Sequence, residues 1–304
     1  MKNNKTIVTT TINPPTEALI CHSKRTDWDL IVIGDKKTPH RDYEDIDCLY
    51  LSPSRQEELF PELSHALGWG TITRRNIGLF LAWEMGYEII ATVDDDNIPL
   101  NNWGKNLLVG QTKNIKTYQT RLPVFDPLFV LGLEHLWHRG FPWQLLDERE
   151  GQETTVVKRE ILVQADLWNG DPDIDAICRM TYKPNVEIPD FEPFAANAIL
   201  PFNSQNTFLH RSVIPRYMML THTGRVQDIW GSYLLQHFHP DCVIYAPATV
   251  KQERNDHDLT IDLEDEILQY RDTQRLIENL PLWKKILPSQ SVENYQLYHS
   301  LFNL

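Results

Sequence analysis

The stretch TRRNIGLFLAWEMGYEIIATVDDDNIP (Thr73–Pro99) decides the fold. Ile77, Phe80, Leu81 and Met85 recur at the spacing of one helix face, and Gly86 is a natural stop, so the pattern predicts a helix ending near Met85. The apolar run Glu88–Val93 then reads as a strand buried on both faces, and it delivers the chain into Asp94-Asp95-Asp96-Asn97. Upstream, Lys5–Thr11, Trp28–Ile33 (leading into Gly34-Asp35) and Asp47–Leu51 are further strand-like runs. Strands alternating with helical pieces predict an α/β fold: a mostly parallel central sheet flanked by helices.

Downstream the pattern is less regular. Prolines around 123–127, 184–193 and 201, interleaved with aromatics, predict long ordered loops over the sheet. Val226–Phe238 reads as a helix and Cys242–Ala246 as a last strand. Residues 1–260 are expected to form the main body, with 261–304 a charged helical C-terminal appendage packed on it.

The 304 residues carry 29 Lys plus Arg against 42 Asp plus Glu, and the net charge of -13 repels a nucleic-acid backbone, so no nucleic acid is expected as a partner. The N-terminus leads directly into a β-like run and no stretch of about 18 apolar residues occurs, so neither a signal peptide nor an integral membrane segment is expected. Cys21, Cys48, Cys178 and Cys242 form no CxxC pair and read as reduced thiols without chemistry.

The sharpest chemical signal is the acidic triplet. In an open α/β sheet, ligands bind outside the carboxyl ends of strands. Three adjacent carboxylates there repel one another unless a cation relieves them, and Mg2+ or Mn2+ with substrate phosphate oxygens would do so. A solvated acidic turn is the alternative, and the strand directly upstream favours the metal. Asp35 ends another strand on the same rim, beside Lys36 and Lys37, where it suits a ribose or base, or simply a Gly-Asp turn. Arg74, Arg75 and Asn76 open the helix before the triplet and could favour a diphosphate, although adjacent arginines cannot both point to one ligand. Asp173 and Asp175 of GDPDIDA, and Asn203, Gln205 and Asn206 of FNSQNT, could meet a polyhydroxylated ligand or be loop scaffolding. Asp228 of GRVQDIW (Gly224–Trp230) sits in a first helical turn, where an acid also offsets the helix dipole. His257 could join a metal site or be structural.

Together these segments resemble a GT-A glycosyltransferase. The closer resemblance is to the STELLO-type glycosyltransferases and, more distantly, to the reversibly glycosylated polypeptides, which are UDP-arabinopyranose mutases. It rests on WDLIVIGDKKTP (Trp28–Pro39), Thr73–Pro99, RGFPW (Arg139–Trp143), GDPDIDAICR (Gly170–Arg179), FNSQNT (Phe202–Thr207) and GRVQDIW (Gly224–Trp230), and spans most of the chain from Trp28 to about His257.

The resemblance implies a GT-A catalytic domain in which Asp94, Asp96 and His257 bind Mn2+ or Mg2+. Thr10, Asp35, Lys37, Arg74, Arg75, Asn76, Asp94 and Asp95 would hold the nucleotide, with Asp35 at the nucleoside. Asp173, Asp175, Asn203, Gln205, Asn206, Arg225 and Trp230 would contact substrate, and Asp228 stands where inverting enzymes carry their general base. The activity implied is transfer of a sugar from a nucleotide diphosphate donor, a UDP-sugar, to a hydroxyl of a glycan, glycolipid or other acceptor. A nucleotide-sugar mutase, or a non-catalytic nucleotide-sugar- or glycan-binding module, are the alternatives. The plant STELLO proteins have an N-terminal membrane anchor that is not seen here, so the expected location is cytoplasmic or peripheral at a membrane. Arg149-Glu150-Gly151 looks like the self-glycosylated segment of the mutases but sits at a different spacing from GDPDIDA.

Overall fold

A computed structural model describes residues 3–253 and 258–303. One large mixed sheet forms its centre. Its strands are β1 (Lys5–Thr11), β2 (Asp29–Gly34), β3 (Leu49–Leu51), β4 (Ile89–Val93), β5 (Asn97–Pro99), β6 (Thr112–Tyr118), β7 (Thr154–Glu160), β8 (Val163–Gly170), β9 (Phe194–Ala196), β10 (Asn206–His210) and β11 (Val243–Gln252). They lie in the order β3-β2-β1-β4-β10-β8-β11-β9-β6-β7, with β5 beside β11.

The parallel expectation holds for β3-β2-β1-β4. Beyond β4 the sheet turns mixed. β10 runs antiparallel to both β4 and β8, whereas β8 and β11 are parallel to each other. Strands β6 to β10 fall in the half where the sequence pattern was irregular. NTFLH of β10 and VQADLWNG of β8 bury polar side chains such as Gln164, Asp166, Asn206 and Thr207, which hides the apolar signature of a central strand.

The decisive stretch folds as a short 3-10 turn, Ile72–Arg74, that runs into the α-helix Arg75–Glu84 and then β4. Ile77, Phe80 and Leu79 are buried against the sheet. Gly78 permits the close approach, because a Cβ there would lie 2.5 Å from Cγ1 of Val8 on β1. The register Asn206↔Val93 of β10 on β4 sets FNSQNT directly beside the acidic triplet. β8 and the far end of β11 set GDPDIDA on the same rim, through the pair Gly170↔Gln252.

The C-terminal helices Leu259–Asp265, Ile267–Glu278 and Ser289–Ser300 pack on this body. Trp230 Nε1 donates to Thr273 Oγ1 at 3.0 Å, and Asn294 Nδ2 donates to the Ala66 carbonyl at 2.9 Å. Among the described residues no helix is long and apolar enough to cross a membrane.

Gly170 is required twice over. Its φ is +88°, and an added Cβ would stand 2.4 Å from the Gln252 carbonyl oxygen, which as backbone cannot swing aside. Left-handed strain and overpacking together predict that Gly170→Ala destabilises the fold by at least about 2 kcal/mol. The midpoint of urea denaturation reads this directly.

Candidate functional site

The rim built by the carboxyl ends of β4 and β8 opens on a cavity of about 540 Å³. Six of the candidate residues line it: Asp94, Asp96, Asp173, Gln205, Arg225 and Asp228.

On the β4 side, Asp94 meets Arg75 from the first turn of the helix Arg75–Glu84, with Arg75 Nη2 donating to Asp94 Oδ1 at 2.6 Å. Arg75 Nη1 donates to both the carbonyl and the hydroxyl of Ser204, each at 2.7 Å, so one buried guanidinium ties the triplet to FNSQNT. Burial pushes the Asp94 carboxyl above its ordinary value, with Asp228 and Asp95 adding to it and Arg75 opposing. Asp95 faces the end of β1, where Thr11 Oγ1 and Asn13 Nδ2 donate to its Oδ2 at 2.5 and 3.0 Å.

On the β8 side an interior cation governs the site. Arg139 donates to Asp173 through Nε and Nη2, at 2.8 and 3.2 Å, and reaches Asp228 Oδ1 at 3.4 Å. All three side chains are buried. Asn203 Nδ2 donates to Asp173 Oδ2 at 2.7 Å, and the Ser204 amide and hydroxyl donate to Asp228 Oδ2 at 2.9 and 3.1 Å. Burial alone would raise Asp173; Arg139 and His138 overcome it and hold its carboxyl well below the usual range.

The third wall comes from the C-terminal helices. Arg225 donates to Asp262 Oδ1 at 2.6 Å and to Glu266 Oε1 at 3.1 Å, and its carbonyl accepts from Arg139. Asp265 lines the cavity, and its carbonyl sits where a Cβ on Gly224 would have to go, so position 224, at φ +63°, admits only glycine without a shift.

The structure does not bring the other candidates to the cavity lining. Arg74 is interior, donating to Gln56, to Ser64 and to the Gly68 carbonyl, and its guanidinium lies 3.7 Å from the centre of the Trp69 ring; burial lowers its pKa to about 10. Asn76 exchanges two 2.9 Å bonds with the Met219 backbone. Asp35 accepts from the Lys36 and Gly70 amides, which places it behind the cavity edge. Lys37 is exposed, and Thr10 donates to the Ile33 carbonyl. Asp175 caps the helix Ala176–Tyr182 and is pushed up to about 6 by burial, while Asn206 holds Trp103, Leu167 and Thr249. Trp230 is core. His257 lies outside the described residues.

Sequence reasoning left Arg139, Ser204, Gln252 and Asp265 without roles. Arg139 and Ser204 stand inside the segments RGFPW and FNSQNT, but a basic residue before a glycine carries no signal that it will neutralise two distant acids.

Among the described residues, five carboxylates and two guanidinium groups line the cavity, and both guanidiniums are already paired. That excess of hard anionic oxygen suits a divalent cation. Among the described residues no three His, Cys, Asp or Glu side chains are grouped to hold one unaided. A Mg2+- or Mn2+-type ion needs only one or two carboxylates when phosphate and water supply the rest, and Asp94 and Asp96 fit that mode.

Sequence comparison finds glycosyltransferases among the relatives. The chain is 25% identical over 308 residues to "Probable glycosyltransferase STELLO2" of Arabidopsis thaliana, covering 93% of this chain and 40% of that protein. It is 27% identical over 278 residues to "Probable glycosyltransferase STELLO1" of the same plant, covering 83% of this chain and 36% of that one. The chain is STELLO-like in sequence. It thus spans about two-fifths of the length of the curated relatives it matches. No family model matches it. Among solved structures, glucosyl-3-phosphoglycerate synthase of Mycobacterium tuberculosis aligns at a TM-score of 0.46 and 13% identity, over 94% of this chain and 82% of that one. The same enzyme in complex with Mn2+ and UDP-glucose aligns at 0.42 and 12%, over 94% and 80%.

Removing Arg139 leaves two buried carboxylates without their counter-charge. Arg139→Met is therefore expected to cost about 3–5 kcal/mol in urea unfolding. The pH dependence follows from the depressed Asp173: its contribution is complete above the ordinary carboxylate pKa of about 4 and is lost as pH falls below it. Wild-type stability should drop on acidification through that window, and the drop should be shallower in Arg139→Met.

Proposed function

We propose that the chain is a metal-dependent glycosyltransferase that moves a sugar from a UDP-sugar to an acceptor hydroxyl with inversion. The observation that carries the reading is the cavity itself, where Asp94 and Asp96 on one wall face Asp228 and Asp173 on another, in a chain STELLO-like over most of its length. Asp94 and Asp96 would hold the metal, with His257 as a further candidate ligand. Bound there, a divalent ion supplies counter-charge to a leaving diphosphate.

The protein's own residues divide the remaining work. Arg75 fixes Asp94 and leaves the Asp96 side of the triplet toward the cavity. An acceptor hydroxyl needs a carboxylate to take its proton, and two are available. Asp173, gripped through both oxygens by Arg139 and held at depressed pKa, is the poorer base. Asp228 has the longer contact to Arg139 and is the better one. Its hydrogen bonds from Ser204 and from the Ile229 amide orient the carboxylate. Gln205 and Gln252 add amide groups to the lining, suited to sugar hydroxyls.

The mutase reading would use Arg149 as a sugar acceptor, and its guanidinium is spent: it bonds Asp126 Oδ2 at 2.8 Å and the Leu136 and Glu134 carbonyls at 2.7 Å each.

Three outcomes test the proposal. In titration calorimetry UDP should bind with Mn2+ or Mg2+ and at least tenfold more weakly in EDTA, and Asp96→Ala should lose that difference; equal affinity in EDTA would sink the metal reading. Asp228→Asn should fold and bind UDP but lose turnover, measured as nucleotide release, by at least about a hundredfold. Near-normal turnover in Asp228→Asn with loss in Asp173→Asn would move the base to the GDPDIDA loop. Intact-mass measurement after incubation with a UDP-sugar alone should show no adduct at Arg149.

A further inference from the structure

A second cavity, of about 460 Å³, lies where the helix Ser289–Ser300 and the turn Leu280–Lys285 meet the end of the helix Gln227–Phe238. It shares no lining residue with the candidate site. Its apolar surface comes from Phe238, Trp283 and Tyr295, the last two in edge contact with ring centres 5.0 Å apart. The Tyr295 hydroxyl donates to the Arg216 carbonyl at 3.2 Å, so the wall is tied together from two elements.

Its rim is cationic. Arg216 lies over the Phe238 ring at 4.5 Å, Lys284 over Trp283 at 5.5 Å, and His299 completes the lining. No carboxylate lines the cavity, and among the described residues none forms an ion pair with Arg216, Lys284 or His299. Burial, helped by Arg216 and opposed by Glu160, lowers the pKa of His239. In a chain of net charge -13, basic groups kept together without acidic partners around an aromatic cleft are a local reversal of the molecule's charge.

We infer that this cleft binds an amphipathic phosphate, with the phosphate between Arg216 and Lys284 and an apolar chain against Phe238 and Trp283. An arginine pairs with phosphate in a bidentate fork and lysine adds a point charge, whereas the aromatic surface rewards an alkyl body that inorganic phosphate lacks. The same chemistry is offered by a free alkyl phosphate and by an anionic lipid headgroup. Leu282, half exposed in the same turn, stands beside Lys284 and Lys285 where a lipid surface would approach. The inference stands apart from the transferase reading.

Octyl phosphate below its micellar concentration is the probe, with inorganic phosphate and the uncharged octyl glucoside as controls, all by titration calorimetry on the full chain. Octyl phosphate should bind at least tenfold more tightly than either control, and the affinity should fall with added salt. Arg216→Gln and Lys284→Gln, at a half-buried and an exposed position, should each weaken it at least fivefold while circular dichroism stays native. Sedimentation with phosphatidylcholine vesicles carrying phosphatidic acid, lost in Arg216→Gln, would assign a lipid headgroup; octyl phosphate binding without sedimentation would assign a free phosphate. Equal affinity for octyl phosphate and octyl glucoside, or unchanged affinity in both variants, overturns the proposal.

Discussion

Burying a guanidinium is tolerable only where its charge is met, and Arg139 is met by Asp173 from the loop after β8 and by Asp228 from the first turn of the helix Gln227–Phe238. None of the three could be buried alone at reasonable cost. The ion triad therefore dictates where that loop, that helix and the RGFPW segment stand relative to one another. Asn203 and Ser204 donate to the carboxylate oxygens, and Gln269 Nε2 donates to the Arg139 carbonyl at 2.5 Å, so the constraint spreads to FNSQNT and to the C-terminal helices.

Arg75 plays the matching part on the other wall. By bonding Asp94 and Ser204 at once, it joins the parallel half of the sheet to the mixed half. The Asn206↔Val93 pairing of β10 on β4 makes that span short enough for one side chain. Two buried arginines thus hold the acidic cavity open, each spent on carboxylates of the wall, and the remaining negative charge is left for a cation and a ligand to answer.

The C-terminal helices do more than cover the body. Asp262 and Glu266 hold Arg225, Asp265 reaches the cavity, and Glu266 Oε2 accepts from the Ala176 amide at 2.7 Å beside the Asp175 cap. The farthest helix, Ser289–Ser300, instead helps form the cationic cleft.

Local physics was enough to read strands β1 to β4 and the helix that leads into β4. A helix-period apolar face, a glycine stop and a doubly buried apolar strand lie contiguous in Thr73–Pro99, so the helix Arg75–Glu84, β4 and the rim position of Asp94 to Asp96 follow from sequence. Asp173, Asp228 and Gln205 were also legible as candidates, because acids and amides in polar loops and at helix starts stand out, whereas Arg225 came only with the resemblance of GRVQDIW. What only the tertiary structure decided was partnership. Arg74 and Arg75 are adjacent and alike, yet packing of one helix turns the first onto Trp69 and the second onto Asp94. Asp173 and Asp175 are two apart, yet one meets Arg139 and the other caps a helix. Arg139 itself gave no signal. Its two acids lie 34 and 89 residues away, and a charge's role in a low-dielectric interior is set by distance in space, which strand order and register alone determine.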